Sequence, residues 1–165
     1  MRFRDWHDLD QGVMGTQENT EPSAADSWKR FVVLRHDVGP CFERTTETHL
    51  DWMFATGDTS ATWSTELIND LENSFEVPCL KLADHRLAYL DHEGDLGGGR
   101  GRVRRILAGE YMQLTSALAE VTLKAALRWQ TESGVRRGLL EIVQRRGEKL
   151  STAEPRSALR LSICR

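Results

Sequence analysis

The first sustained apolar run is "FVVL", Phe31 to Leu34, inside "WKRFVVLRHD". An unbroken stretch of branched and aromatic residues predicts a strand. Residues 1 to 26 show no sustained period and are rich in Asp, Gly, Gln, Glu and Ser. That composition predicts a disordered acidic tail, and a short anchored piece around Trp6 is compatible with it. After the first strand, "VGPCFERTTET" carries Gly39 and Pro40 and reads as a loop. "HLDWMFATGD" follows as a second strand closed by a turn at "TGD". "LENSFEVPCLKLADHRLAYLDHEGD" gives short extended pieces broken at Pro78 and Gly94, and "GDLGGGRGRVRRILAGEY" a glycine-rich turn entering a strand, with another turn at "AGE".

From Tyr111 to Arg146 the patterns conflict. "LTSALAEVTLKAALRW" has the composition of a helix. Yet "VTLKAALRW" also alternates tolerably, "ESG" reads as a turn and "GLLEIVQRR" as a further strand. Local sequence leaves both readings open. The final "STAEPRSALRLSICR" is mostly polar and frays in this reading, with "LRLSI" able to add an edge strand.

A chain of 165 residues predicts a flexible tail at 1–26 and one domain at 27–165. There is no apolar run of membrane-spanning length and no N-terminal segment of signal-peptide type. Cys41, Cys79 and Cys164 are odd in number and widely spaced, which argues against a disulfide scaffold. The expectation is a cytoplasmic monomer with no membrane partner. The net charge of −3 is uneven: residues 1 to 26 carry −4 and the rest +1. Net charge is a weak guide to partners, since a local basic patch steers a polyanion even on a neutral protein.

The chemistry concentrates in four histidines of the ordered part, His36, His49, His85 and His92. In a strand, side chains at i and i+2 face the same way. His49 and Asp51 therefore project together, as do His85, Leu87 and Tyr89. His36 ends the first strand, from where it can converge on them. Two imidazoles and a carboxylate suit manganese, iron, nickel or zinc, and leave coordination positions open for water and a substrate oxygen. Each residue also has a plainer explanation. A His-x-Asp pair alone is most often a surface hydrogen bond, Tyr89 can be an ordinary core residue, and His92, between Asp91 and Glu93, reads as a solvated side chain. None of the cysteines has ligand spacing.

"GGGRGRVRR" lacks the Lys-Ser/Thr ending of a phosphate-binding P-loop, and it lacks the helix and later carboxylate of a dinucleotide fingerprint. Arg100, Arg102 and Arg104 recur at period two. On a strand they line one face, which either contacts phosphates or solubilises the surface.

The ordered series "FVVLRHD", "HLDWMF", "DHRLAYLDHEGD" and "GRGRVRRILAGEY" resembles the 3'-phosphoesterase domain of bacterial multifunctional DNA ligases, which also occurs as a free-standing protein. The resemblance covers about residues 28 to 111 and extends toward 146. It implies a mainly β protein, a small closed or nearly closed β-barrel with a groove holding the site, and so tilts 112–146 toward strands. It implies hydrolysis at a nucleic-acid 3' end, chiefly DNA, with Mn2+ or another divalent transition metal, and an association with DNA-repair proteins. Members release a terminal ribonucleoside and then remove the remaining 3'-phosphate. Carried over, the metal ligands are His36, His49 and Asp51, while His85 serves phosphate contact or acid–base work and Tyr89 supports the scissile phosphate.

The chain departs from the family at three places. Met53 stands where the family has an arginine, and a thioether cannot neutralise charge developing on phosphoryl oxygens. The interval from His36 to His49 is longer, which makes "VGPCFERTTET" a loop over the groove. "ATWSTE" is a poor echo of the family's "SWAVPKGP" and lacks its basic residue. Arg35, Arg44 or Arg86 are the candidates to replace the missing charge. The alternative is a catalytically weak or inactive barrel that binds metal or nucleic-acid ends, and a third reading is a helical-tailed interaction protein with surface histidines.

Overall fold

The computed structural model describes residues 27–144 and 157–164. The acidic tail expected at 1–26 lies outside them. Ten strands follow in chain order: β1 (Lys29–Val38), β2 (His49–Thr56), β3 (Thr59–Thr65), β4 (Phe75–Lys81), β5 (His85–Arg86), β6 (Gly94–Asp95), β7 (Gly101–Gln113), β8 (Val121–Thr131), β9 (Gly134–Gln144) and β10 (Ser157–Cys164). A single 3-10 turn, Leu87–Leu90, separates β5 from β6.

Eight of the strands form a closed antiparallel barrel in the order β1-β2-β3-β4-β10-β9-β8-β7, with β7 returning to β1. β5 adds to β3 and β6 to β7. The barrel expected from the resemblance is therefore present, and the open question from Tyr111 onward resolves to strand at 111–113, 121–131 and 134–144, with 114–120 a loop. β8 and β9 pair from Val121 with Val143 to Thr131 with Gly134, the "ESG" segment making the turn. In "VTLKAALRW" the helix-forming composition loses to burial: Ala125, Ala126 and Leu127 are wholly inaccessible, and tertiary packing outweighs a propensity of a few tenths of a kcal/mol per residue (order of magnitude).

Three local expectations are corrected. "AGE" is not a turn, because β7 runs through it to Gln113. Gly109 is needed there for closeness: a Cβ would lie 2.2 Å from the Arg128 carbonyl oxygen and 2.9 Å from the Phe31 ring. Pro78 does not break the chain but pairs with Ala158 inside β4. On the other side β3 pairs with β4 only from Cys79 onward, so no ladder is interrupted at the proline. Nor is "LRLSI" an edge strand: β10 lies between β4 and β9 and closes the wall.

The interior is filled from all eight strands, with Phe31, Val33, Trp52, Phe54, Trp129 and Leu159 among its members. A second, smaller cluster of Val32, Leu34, Met53, Leu90 and Val103 lies on the opposite face of β1, β2 and β7, with Leu87, Tyr89 and Leu96 packed against it. The segment from Leu87 to Leu96 thus roofs one outer side of the barrel. This explains why "FVVL" is continuous rather than alternating: a strand covered on both faces needs apolar residues at every position. A pocket opens in this roofed face, lined in part by Leu34, Met53, Tyr89 and Val103.

Candidate metal centre

Strand pairing brings the ligand candidates together. β1 and β2 are antiparallel with His36 directly opposite His49, and their ring centroids are 4.8 Å apart. Asp51, two residues on, keeps to the same face of β2. One ligand atom from each of His36, His49 and Asp51 can be chosen so that all lie within 4.8 Å of one another. The two histidines are 2% and 5% exposed. Phe42, from the loop between β1 and β2, covers both rings, with centroids at 4.6 Å and 5.9 Å.

Hydrogen bonds settle which ring nitrogens are available. His36 Nε2 lies 2.9 Å from the Arg100 carbonyl and His49 Nδ1 lies 2.8 Å from the Glu47 carbonyl. A carbonyl only accepts, so both nitrogens donate, leaving His36 Nδ1 and His49 Nε2 with lone pairs in the neutral rings. Tautomers fixed by outer partners in this way are typical of metal-binding histidines. Asp51 Oδ1 is buried without a hydrogen-bond partner, which is costly for a carboxylate unless a cation meets it. Arg44 Nη2 approaches that oxygen at 3.6 Å and His49 Nε2 at 2.7 Å. The donor set and the orphaned oxygen fit a divalent transition metal.

The glycine-rich turn acts on this centre through its backbone. Gly39 N–H donates to the Arg100 carbonyl at 3.2 Å and Cys41 N–H to the Gly99 carbonyl at 2.9 Å. A Cβ on Gly39 would lie 2.3 Å from the Gly99 oxygen, and one on Gly101 2.2 Å from the Asp37 oxygen. Glycine is required for this approach, and the approach holds the carbonyl that orients His36.

Burial, opposed in part by the Arg100 carbonyl, puts the His36 pKa below its ordinary 6.5, and the charge of Arg44 adds to the lowering. For Asp51 burial works upward, but its neighbours His49 and Arg44 outweigh it and hold the carboxyl below its ordinary value. His36 is therefore neutral, and Asp51 ionised, near neutral pH. A histidine harder to protonate when folded has no effect on stability above pH 6.5 and costs stability as pH falls below it toward the folded-state value. The expected result is a metal-free melting temperature that begins to drop below pH 6.5, with a smaller drop in His36→Gln. Identical pH profiles for the two proteins would contradict the buried, neutral His36.

A pocket of about 340 Å³ adjoins the centre, lined by His36, Asp51, Met53, His85, Tyr89 and Arg100 among others. His85 is held by β5 against β3, opposite Ser60. Its Nδ1 lies 3.1 Å from Thr62 Oγ1, which donates its own proton to the Ser60 carbonyl. Nδ1 therefore donates and Nε2 is left for other work. The expectation that His85, Leu87 and Tyr89 project together from a strand is corrected. β5 ends at Arg86, and it is the 3-10 turn that brings Tyr89 to His85, with centroids 5.5 Å apart. Leu87 joins the outer apolar cluster instead.

The arginines divide. Arg44 and Arg100 line the pocket. Arg86 is exposed, its guanidinium 5.8 Å from the Tyr89 ring centre. Arg35 bonds Asp37 at 2.8 Å on the other face of β1 from His36. Arg102 and Arg104 alternate with Val103, whose side chain joins the outer cluster, so they face away from the pocket, Arg104 opposite Arg35. Arg100 precedes β7. The single period-two face expected of Arg100, Arg102 and Arg104 is not formed. His92 is half-buried rather than solvated, and stays outside the ligand group. Phe42 and Thr62 escaped the sequence reading, since an aromatic in a loop and a threonine in a strand carry no periodic or spacing signal.

No protein-family model matches the chain, and no curated protein does. Among the described residues, no helix is long and apolar enough to cross a membrane.

Proposed function

We propose that this protein is a metal-dependent phosphoesterase acting on 3' ends of nucleic acid, a divergent relative of the 3'-phosphoesterase domain of bacterial DNA ligases. One observation carries the reading: His36, His49 and Asp51 converge beside a pocket that also holds His85 and Tyr89. Those five residues come from three segments, β1, β2 and the stretch 85–89, and a barrel needs none of them together for folding. His36 Nδ1, His49 Nε2 and Asp51 would hold a divalent ion such as Mn2+, which would supply Lewis-acid polarisation of a phosphoryl oxygen.

The chain's own residues do the rest. His85, oriented through Nδ1 by Thr62, presents Nε2 for proton transfer to or from a phosphate ester. The Tyr89 hydroxyl contacts a phosphate oxygen, and Arg44 and Arg100 supply positive charge at the pocket wall. The apolar side of the pocket, Leu34, Met53 and Val103, excludes water and takes a sugar or base. Water attacks the phosphorus, the bond from phosphorus to the 3' oxygen breaks, and that oxygen takes a proton, which leaves a 3'-hydroxyl and inorganic phosphate.

The test is a labelled oligodeoxynucleotide with a 3'-phosphate, single-stranded or at a recessed duplex end, incubated with Mn2+. Conversion to the 3'-hydroxyl is expected, slowed about 10²-fold or more in His85→Ala, the usual scale for an acid–base group. No conversion on either substrate would sink the catalytic reading. Met53 favours the alternative, a barrel that binds metal and a nucleic-acid end without turnover, because it puts a thioether in the pocket where the family has a guanidinium. An inactive protein that gains activity in Met53→Arg would decide for that alternative.

A further inference from the structure

Arg44 stands where the metal-centre reading, on which this inference rests, needs a cation. It comes from the loop between β1 and β2, and its Nη2 lies 2.7 Å from His49 Nε2 and 3.6 Å from Asp51 Oδ1. His49 Nδ1–H is already given to the Glu47 carbonyl, so Nε2 offers one in-plane lone pair. An N–H or a metal ion can take that pair, but not both at once. Arg44 is thus a competitor for the ligand set and, until displaced, the counter-charge that offsets the buried carboxylate of Asp51.

Arg44 also has somewhere to go. Its side chain is 30% exposed, and it borders two hollows: the pocket holding Met53, His85 and Tyr89, and a second of about 720 Å³ on the far side of His49. Its guanidinium lies 5.3 Å from the centre of the Phe42 ring, an aromatic face that carries a planar cation between positions without solvating it fully.

We propose that Arg44 is a displaceable internal cation. A divalent metal ion expels it from His49 and Asp51, and the freed guanidinium becomes the phosphate-binding arm of the adjoining pocket, in the role that Met53 cannot fill. Metal binding and recognition of a phosphate ester are then coupled through one side chain. A guanidinium freed by the metal is available to a phosphate, and a phosphate that holds it away from His49 tightens the metal by the same factor.

The test is calorimetric, with Mn2+ alone titrated into metal-stripped wild type and Arg44→Ala. Removal of the competitor tightens Mn2+ by about tenfold or more, within the usual range of coupling between sites. The same two proteins, loaded with Mn2+, are then titrated with a dinucleotide bearing a 3'-phosphate, which the variant binds about tenfold more weakly. These opposite signs are what a merely structural arginine would not give, since its loss would weaken both ligands. Equal or weaker Mn2+ binding in the variant, with binding intact in wild type, overturns the competitor role and leaves the metal centre standing. Unchanged affinity for the dinucleotide overturns the phosphate role. No Mn2+ binding by either protein removes the metal centre and this inference with it.

Discussion

Alanine at either His49 or Asp51 is expected to abolish tight Mn2+ binding, weakening it by about 100-fold or more. Altering an outer-shell partner of a ligand alone costs about 10- to 100-fold, and these changes remove the ligand atom itself. Neither should unfold the barrel. Both side chains lie on the outer face of β2, while Leu50, Trp52 and Phe54 fill the interior from the other. Asp51→Ala also removes a buried oxygen that accepts no hydrogen bond, which offsets part of the packing and of the Arg44 ion pair it loses. The check is calorimetry on metal-stripped protein, with thermal melts of the same samples. Lost binding at a nearly constant melting temperature supports a site built on a scaffold that does not depend on it. Binding indifferent to both changes would refute the ligand assignment, although the barrel would remain.

This separation of scaffold and site explains what was legible in the sequence. "FVVLRHD" and "HLDWMF" were readable because branched and aromatic runs mark strands, and the i, i+2 rule then puts His49 and Asp51 on one face. That His36 faces His49 needed the register, which the long loop between them conceals. The stretches 121–131 and 134–144 were not readable, because Ala, Leu, Lys and Glu favour helix locally and only burial inside a closed wall selects strand. Gly109 looked like a turn residue, yet its role is to let β7 approach Phe31 and Trp129. The arginines show the limit most clearly. Period two groups Arg100, Arg102 and Arg104 only if the strand begins before Arg100, and it begins at Gly101. Arg44 carries no such pattern, but it alone among Arg35, Arg44 and Arg86 reaches His49 and Asp51.

Trp52 tests the scaffold from the other side of the same strand. It is wholly buried, with its ring centroid 6.1 Å from that of Phe75. Its Nε1–H donates to Thr65 Oγ1 at 3.2 Å. Trp52→Ala is expected to cost about 3–5 kcal/mol, the range for deleting a large aromatic from a packed interior. Against a domain stability of about 5–15 kcal/mol, that is a large fraction of the total. Most of the loss should come from packing, because Thr65 keeps its own bond to the Glu66 carbonyl and forfeits only one donor. Trp52→Phe, which retains a ring but not the N–H, should therefore recover much of the loss, and urea denaturation of the three proteins measures both differences. A change within about 0.5 kcal/mol for alanine, as at ordinary surface positions, would mean that β2 does not turn this face inward. The same pleat that hides Trp52 carries His49 and Asp51 outward, so that result would also remove the geometric basis of the metal centre.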